Sequence, residues 1–200
     1  MSSTGILAYG SLIRDPGIEI GPLIVRRTPA MTPWPVEYAR FSQTRGGAPT
    51  VVPHSSGNVV KAEILVLSES VSIDEAKSLL WRRETRKERS GRQYRESASP
   101  QALLIREVSG LCGVDHVFYT DFNPSGKIQA PDPRELATAA VNSVANAPVG
   151  KDGISYLIDL INSGVVTALT ARYQKEVLTL TNSATLAEAL SAARGKRFCS

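Results

Sequence analysis

The sequence predicts an α+β fold, because β-like segments occupy its first half and helical segments its second. Between residues 4 and 122, short runs rich in Val, Ile, Tyr and Phe are separated by turns that contain Gly or Pro. From Asp132 onward, Ala- and Leu-rich segments repeat at helical spacing. Strands followed by helices, without regular alternation, are typical of an α+β domain. The 200 residues contain no repeat or linker, so one domain is expected over 1–200, with a mobile tail at 195–200.

The β-like segments are bounded by turn residues, and two of them are long enough to form hairpins. The first strand ends at a Gly-Ser pair, the first hairpin turns at Gly57-Asn58, and the second turns at Ser99-Pro100-Gln101. The predicted strands are residues 4–9, 23–25 and 36–42, the hairpins are 50–67 and 92–107, and the last strand is 112–122.

One helix is predicted within the β-rich half. Ser72 and Glu75 have the spacing of a capping box, in which each side chain bonds the backbone N–H of the other residue. This helix is expected to run to residues 87–90 and to end at Gly91. The C-terminal half predicts four more helices, over 133–145, 152–162, 166–178 and 184–194.

Composition excludes several functional classes. The chain is 42% hydrophobic and 21% charged, as globular proteins usually are, and no apolar run approaches the roughly 20 residues of a membrane span. The N-terminus lacks the pattern of a signal peptide, and Cys112 and Cys199 suggest no disulfide framework, so a cytoplasmic location is expected. His54 and His116 have no metal-binding spacing, so no metal site is expected. A net charge of +4 is too small to indicate nucleic-acid binding.

The end of the first strand is the first candidate for a binding site. Gly10 follows the apolar run and, because it has no Cβ, allows the backbone to bend or to approach a ligand closely. Successive N–H groups in such a turn form a concave surface that holds a carboxylate or an oxyanion.

A carboxylate in the predicted helix is the second candidate. The apolar stripe of that helix runs through Ala76 and Leu80, and the next position on the stripe is Glu84. A partly desolvated carboxyl group is suited to proton exchange, so Glu84 is a candidate general acid–base. In the alternative interpretation, Glu84 marks the end of burial and forms a surface ion pair, with Arg82 and Arg86 on a solvated face.

The two candidates together resemble the γ-glutamylcyclotransferase superfamily, especially its glutathione-degrading ChaC-type branch. The resemblance is carried by Tyr9-Gly10-Ser11-Leu12 and by the Leu-Leu-Trp-Arg-Arg-Glu run of residues 79–84. Supporting similarities are Arg45-Gly46-Gly47 and Gly153-Ile154-Ser155-Tyr156-Leu157, so the resemblance spans roughly residues 5–165. It implies a small, mostly antiparallel β-barrel flanked by helices.

The resemblance also implies a reaction. The α-amino group of a γ-glutamyl substrate attacks its own γ-carbonyl, giving 5-oxoproline and a released amine, amino acid or dipeptide, with no cofactor or metal. Glu84 takes the position of the family's catalytic glutamate, and Glu88 is a second choice. The backbone N–H groups of Gly10, Ser11 and Leu12 would bind the γ-glutamyl head, and Tyr9 and Tyr94 would line the pocket.

Two other functions remain open at this point. One is a non-catalytic protein of the same fold that binds a small anionic metabolite through the same turn. The other is nucleic-acid binding through the basic residues after the helix, which is not favoured because the segment matches no known reader motif. These residues are Arg82, Arg83, Arg86, Lys87, Arg89, Arg92 and Arg95.

Overall fold

The structure is a computed structural model that describes residues 2–99 and 101–195. Within these residues strands precede most of the helices, so the predicted α+β class is confirmed. The contacts divide the chain into two units, Met1–Pro33 with Lys61–Gly126 and Trp34–Val60 with Lys127–Ser200. A single domain over 1–200 stays a prediction. Of the predicted tail, Gly195 ends the last helix, and residues 196–200 lie outside the described residues.

Seven strands and five α-helices form the regular structure of the described residues. The strands are β1 (Thr4–Ala8), β2 (Ile24–Met31), β3 (Val36–Ser42), β4 (Ala48–Pro53), β5 (Lys61–Leu67), β6 (Leu103–Leu111) and β7 (Val114–Phe122). The helices are α1 (Ile73–Glu84), α2 (Pro133–Asn146), α3 (Gly153–Asn162), α4 (Thr170–Thr181) and α5 (Leu186–Gly195). No helix among the described residues is both long enough and apolar enough to cross a membrane.

The first unit contains an open five-stranded sheet, and the predicted closed barrel is wrong for the described residues. Its strand order is β2-β5-β1-β7-β6, with β1 parallel to β7 and the other neighbours antiparallel. Closure would require the edge strands β2 and β6 to pair. Pro29 lacks the backbone N–H that a further strand would need at this position of β2. The exposed charges of Arg26 and Arg27 also disfavour the addition of another strand at this edge.

Both predicted hairpins differ from the observed pairing. The run 50–67 is not a hairpin, because β4 pairs with β3, whereas β5 pairs with β1 and β2. The predicted hairpin over 92–107 is also wrong, since residues 91–99 form no strand and the hairpin of this region is β6–β7. Its turn is Cys112-Gly113, both with positive φ (49° and 77°). The Ala102 N–H does donate to the Ser99 carbonyl at 3.0 Å, whereas Pro100 of the predicted turn lies outside the described residues. The sequence pattern located the β-like runs, but partner choice depends on long-range packing.

Helix α1 packs its apolar face on the sheet of the first unit. Ala76, Leu79 and Leu80 are buried in one cluster with Ile6 of β1 and Phe118 of β7. The predicted N-cap is confirmed, because the Ser72 side chain accepts a hydrogen bond from the N–H of Glu75 at 3.2 Å. The packing carries the last turn of α1 back over the end of β1.

The helix ends earlier than predicted. It stops at Glu84, because the Lys87 N–H turns back to the Arg82 carbonyl at 2.8 Å and Arg86 takes a left-handed conformation with φ 56°. The basic residues that follow therefore do not continue the helical surface, contrary to the expected extension to residues 87–90.

The second unit packs the β3–β4 hairpin with helices α2 to α5. Glu37 of β3 is fully buried, and its carboxylate accepts hydrogen bonds from the Thr167 hydroxyl at 2.5 Å and from the Leu169 N–H at 3.0 Å. The four predicted C-terminal helices are all present. Helices α2 and α3 match closely, whereas α4 and α5 begin a few residues later than predicted.

We expect Gly153→Ala to destabilise the protein, although Ala is the better helix former. A Cβ at residue 153 would lie 2.7 Å from the Cα of Ala140, a backbone atom of α2 that has little room to move. Overpacking of this kind costs about 1–3 kcal/mol of unfolding free energy. Urea denaturation measures the change, with Gly21→Ala as control, since a Cβ there would meet nothing nearer than 3.9 Å. Equal midpoints for both variants would contradict the packing of α3 on α2.

Candidate active site

The first predicted motif forms a tight turn at the end of β1. Gly10 has φ 80° and opens a 3₁₀ helix, Gly10–Ile13, in which Leu12 is buried and Ser11 is partly exposed. A positive φ favours glycine because it has no Cβ to clash with the backbone. The first N–H groups of a helix have no acceptor in a preceding turn, so this turn presents donors of the kind that bind an anion.

Tyr9, immediately before the turn, is held by the neighbouring strand. Its side chain is 9% exposed, and its hydroxyl donates to the Thr120 carbonyl of β7 at 3.3 Å. This contact fixes the ring beside the turn.

Glu84, the second predicted site residue, ends α1 within the same unit. Its side chain is 23% exposed, and its Oε1 accepts a hydrogen bond of 2.6 Å from Nη1 of Arg83. The alternative interpretation is therefore partly right. Glu84 does form an ion pair, but its own carboxylate is about three-quarters buried and does not lie on the open surface.

Arg83 connects the two predicted motifs. Its Nη2 donates to the Ser11 hydroxyl at 3.3 Å and to the Asp15 carbonyl at 2.5 Å, and it lies 3.8 Å from the Asp15 carboxylate. The structure thus joins Glu84 to the Gly10–Ile13 turn through one guanidinium group. From the sequence, Arg83 was a residue of the Arg-Arg-Glu motif and of the basic set considered for nucleic-acid binding. Its place one residue before Glu84 was the available signal for a role beside the carboxylate.

Arg82 is buried, so its predicted place on a solvated face is wrong. Its side chain is only 4% exposed and donates to Glu19 at 2.8 Å, to Glu75 at 2.7 Å and to the Arg92 carbonyl at 3.0 Å. The segment after α1 folds back over this face and covers it. Glu75 lies seven residues before Arg82, two helical turns away on the same face, and this spacing was the available signal.

Burial acts to raise the pKa of Glu19, but hydrogen bonds from Arg82 and from the Arg89 N–H lower it by more. The net pKa of this carboxyl group therefore lies below its ordinary value. The ion-pair cluster anchors both the loop before β2 and the segment after α1, the two chain segments that flank Arg83.

The other two predicted site residues serve as anchors in the structure. Glu88, the second choice for the acid–base, accepts a hydrogen bond of 2.7 Å from the Ile18 N–H. Tyr94 packs its ring against the core of the first unit, and its hydroxyl accepts from the Ile105 N–H at 3.1 Å. The substrate-binding role of Tyr94 stays a prediction.

The basic segment proposed for nucleic-acid binding is reduced by these contacts. Arg82 and Arg83 donate to groups inside the unit, and Lys87 lies over the Trp81 ring at 4.7 Å from its centroid. The exposed arginines that remain are Arg86, Arg89, Arg92 and Arg95.

One other concave region of the first unit lies apart from these residues. It is a groove of about 580 Å³ that contains none of the predicted site residues. Its lining residues are Glu96, Ser97, Ala98, Leu104, Asn123, Pro124 and Ser125. Within residues 2–99 and 101–195, no group of three or more His, Cys, Asp and Glu side chains is placed to hold a metal ion.

Comparison with known proteins gives a similarity at the level of structure alone. No family model matches the chain, and no curated protein matches it. Among solved structures, the chain is similar to a γ-glutamyl cyclotransferase from yeast that is specific to glutathione, with 12% identity and a TM-score of 0.43. The alignment covers 98% of this chain and 100% of the yeast chain. At that TM-score the similarity establishes neither a common fold nor a common activity.

We expect Glu19→Gln to lower stability at neutral pH, because the buried Arg82 loses a charged partner. Leaving such a group short of an acceptor costs about 1–3 kcal/mol of unfolding free energy. The pKa of Glu19 is lower in the folded protein than in the unfolded chain. The ionised carboxylate therefore adds to the free energy of unfolding above the ordinary carboxyl pKa, and this addition is lost as the pH falls through the pKa of the folded state. The difference in unfolding free energy between wild type and variant should therefore be full at pH 7 and should shrink as the pH falls below the ordinary carboxyl pKa.

Urea denaturation at a series of pH values measures this difference. Glu63→Gln is the matched control, since Glu63 pairs with an Arg27 side chain that is 41% exposed and should contribute little. A difference for Glu19→Gln that persists unchanged into acid would contradict the role given to the Arg82 pair.

Proposed function

We propose that the chain is an enzyme of the γ-glutamylcyclotransferase superfamily that converts a γ-glutamyl substrate to 5-oxoproline and a free amine, amino acid or dipeptide. The observation that carries the proposal is the link between Glu84 and the Gly10–Ile13 turn through Arg83. That link joins a carboxylate that is about three-quarters buried to a turn with backbone N–H groups at its start, and both features support the proposed reaction.

Glu84 is proposed as the general acid–base. Its Oε1 is held by Arg83, whereas no described residue donates a hydrogen bond to Oε2. Oε2 is thus the atom that would take a proton from the α-ammonium group of the substrate, which frees the amine lone pair for attack.

The reaction then requires only atoms of the substrate and two protons that pass through Glu84. The amine nitrogen bonds to the γ-carbonyl carbon, whose oxygen becomes an oxyanion. The C–N bond to the leaving group breaks as Glu84 returns the proton to the leaving nitrogen. The second proton of the attacking nitrogen then passes to the regenerated carboxylate, and Glu84 gives it to the released amine, which leaves as an ammonium ion. Because the nucleophile and the carbonyl belong to one molecule, holding the ring-closing geometry supplies much of the acceleration.

The turn at the end of β1 is proposed to bind the γ-glutamyl head. The N–H groups of Gly10, Ser11 and Leu12 suit a carboxylate or the oxyanion, since both carry negative charge that backbone donors in a turn stabilise. Tyr9 and Tyr94 would form the wall of this site. Glutathione is the first substrate to test, and the proposed enzyme works in the cytoplasm without a cofactor.

A non-catalytic binding protein is the alternative from the same site. It would retain the N–H groups of the turn and bind a γ-glutamyl compound without turning it over. The assay below separates the two, because only the enzyme releases 5-oxoproline.

We expect Glu84→Gln to lower 5-oxoproline release about 10²- to 10⁴-fold, the usual contribution of a general acid–base. The substitution keeps the size of the side chain and removes its proton exchange together with the charge that pairs with Arg83. The purified protein is incubated with glutathione, γ-glutamyl dipeptides and γ-glutamyl-lysine, and 5-oxoproline is quantified by chromatography.

Glu96→Gln is the matched control, since its exposed carboxylate pairs with Arg106 and takes no part in the proposed proton transfer. Glu88→Gln tests the second choice in the same assay. Activity in Glu84→Gln that equals wild type would remove Glu84 from the mechanism. Loss confined to Glu88→Gln would assign the role to the second choice instead. No release from any substrate by the wild type, with binding detected by calorimetry, would favour the binding protein.

A further inference from the structure

The side chain of Arg83 is more buried, and makes more hydrogen bonds, than that of an ordinary surface arginine. It is 11% exposed, and three of its hydrogen bonds go to Glu84, to Ser11 and to the Asp15 carbonyl. A guanidinium has five N–H donors, so most of its donor capacity is already used inside the protein.

The loop before β2 fixes the stem of the same side chain. Gly17 has φ 90°, and a Cβ at this position would lie 2.9 Å from Cγ of Arg83 and 2.4 Å from Oε1 of Glu88. Glu88 in turn bonds the Ile18 N–H at 2.7 Å. The backbone can therefore approach the Arg83 stem only because residue 17 is glycine, and Glu88 closes the loop around it.

We propose that Arg83 is a positioning residue that fixes Glu84 relative to the substrate-binding turn and does not itself bind substrate. This inference rests on the proposed function. By holding Oε1, Arg83 fixes the orientation of the carboxylate and leaves Oε2 for the reacting nitrogen. A displacement of about 1 Å in a reacting group is enough to lower a rate roughly 100-fold, so removing this anchor affects the chemical step.

Steady-state kinetics of Arg83→Met tests the proposal with any γ-glutamyl substrate that the wild type converts. The expected result is a fall in kcat of roughly 10- to 100-fold with KM within about twofold, because the proposed contact is to the catalytic carboxylate. Arg83→Lys retains the charge but lacks the planar group that reaches Glu84 and Ser11 together, and should recover part of kcat.

Two further measurements separate positioning from a general loss of structure. Millimolar guanidinium ion added to Arg83→Ala should restore part of kcat, which no unfolded or collapsed variant would show. Arg95→Met is the matched control, because Arg95 is an exposed arginine beyond the turn that follows α1 and should leave kcat unchanged. Thermal unfolding followed by circular dichroism reports the folded fraction of each variant.

A raised KM with unchanged kcat in Arg83→Met would overturn the proposal, since it would make Arg83 a substrate contact. Wild-type kinetics in folded Arg83→Met would overturn it as well, while leaving the cyclotransferase reaction in place. Where Arg83→Met does not fold, Arg83→Lys and the guanidinium experiment decide, and no rescue in folded Arg83→Ala overturns it. Absence of 5-oxoproline release by the wild type is a different outcome, which overturns the proposed function and the role of Arg83 with it.

Discussion

The burial of helix α1 on strands β1 and β7 is the constraint on which the candidate site depends. Ala76, Leu79 and Leu80 enter the same apolar cluster as Ile6 and Leu12, so the helix can lie in only one orientation on this sheet. That orientation brings the C-terminal turn of α1 to the place where β1 ends. The position of Glu84 is thus fixed by side chains that take no part in the proposed chemistry.

Two adjacent arginines of α1 bind different groups of the first unit. Arg82 is buried and shared between Glu19 and Glu75, whereas the adjacent Arg83 is shared between Glu84 and the turn residues. A buried guanidinium without partners would be strongly destabilising, so the acidic residues around Arg82 are required for the fold. The same residues hold the loop that carries Gly17 against Arg83, and this connects stability to the site.

The sequence predicted local features well because each had a local physical cause. Ser72 was identified as an N-cap from the capping-box spacing, and Pro133 marked the first residue of α2, since both signals are contained within one helical turn. The pairing partners of β4 and β5 were wrong, because Gly57-Asn58 resembles a hairpin turn although the two strands join different sheets. Strand pairing is decided by contacts between distant residues, and a turn signal alone does not report them.

In the candidate site, too, the local features were predictable from the sequence and the contacts between distant residues were not. Its two motifs were visible in the sequence. Helical spacing also singled out Glu84, because this carboxylate falls on the apolar stripe of the helix, where an apolar side chain is expected. The link through Arg83 was not predictable, because it requires that residues 10–15 and the last turn of α1 meet in space. Arg82 was assigned to solvent for a related reason, since the helix was expected to continue and the observed segment instead turns back at Arg86.

The early end of α1 has a consequence for the geometry of the candidate site. Arg86 and Arg89 both take left-handed conformations, with φ 56° and 63°, which cost about 1 kcal/mol or more each for residues that carry a Cβ. A helix continued to residue 90 would avoid this strain, but it would carry Glu88 away from the Ile18 N–H and Arg89 away from Glu19. Both contacts hold the loop that packs on Arg83. We therefore interpret the strained backbone after Glu84 as the conformation that keeps the guanidinium, and through it the carboxylate, in place.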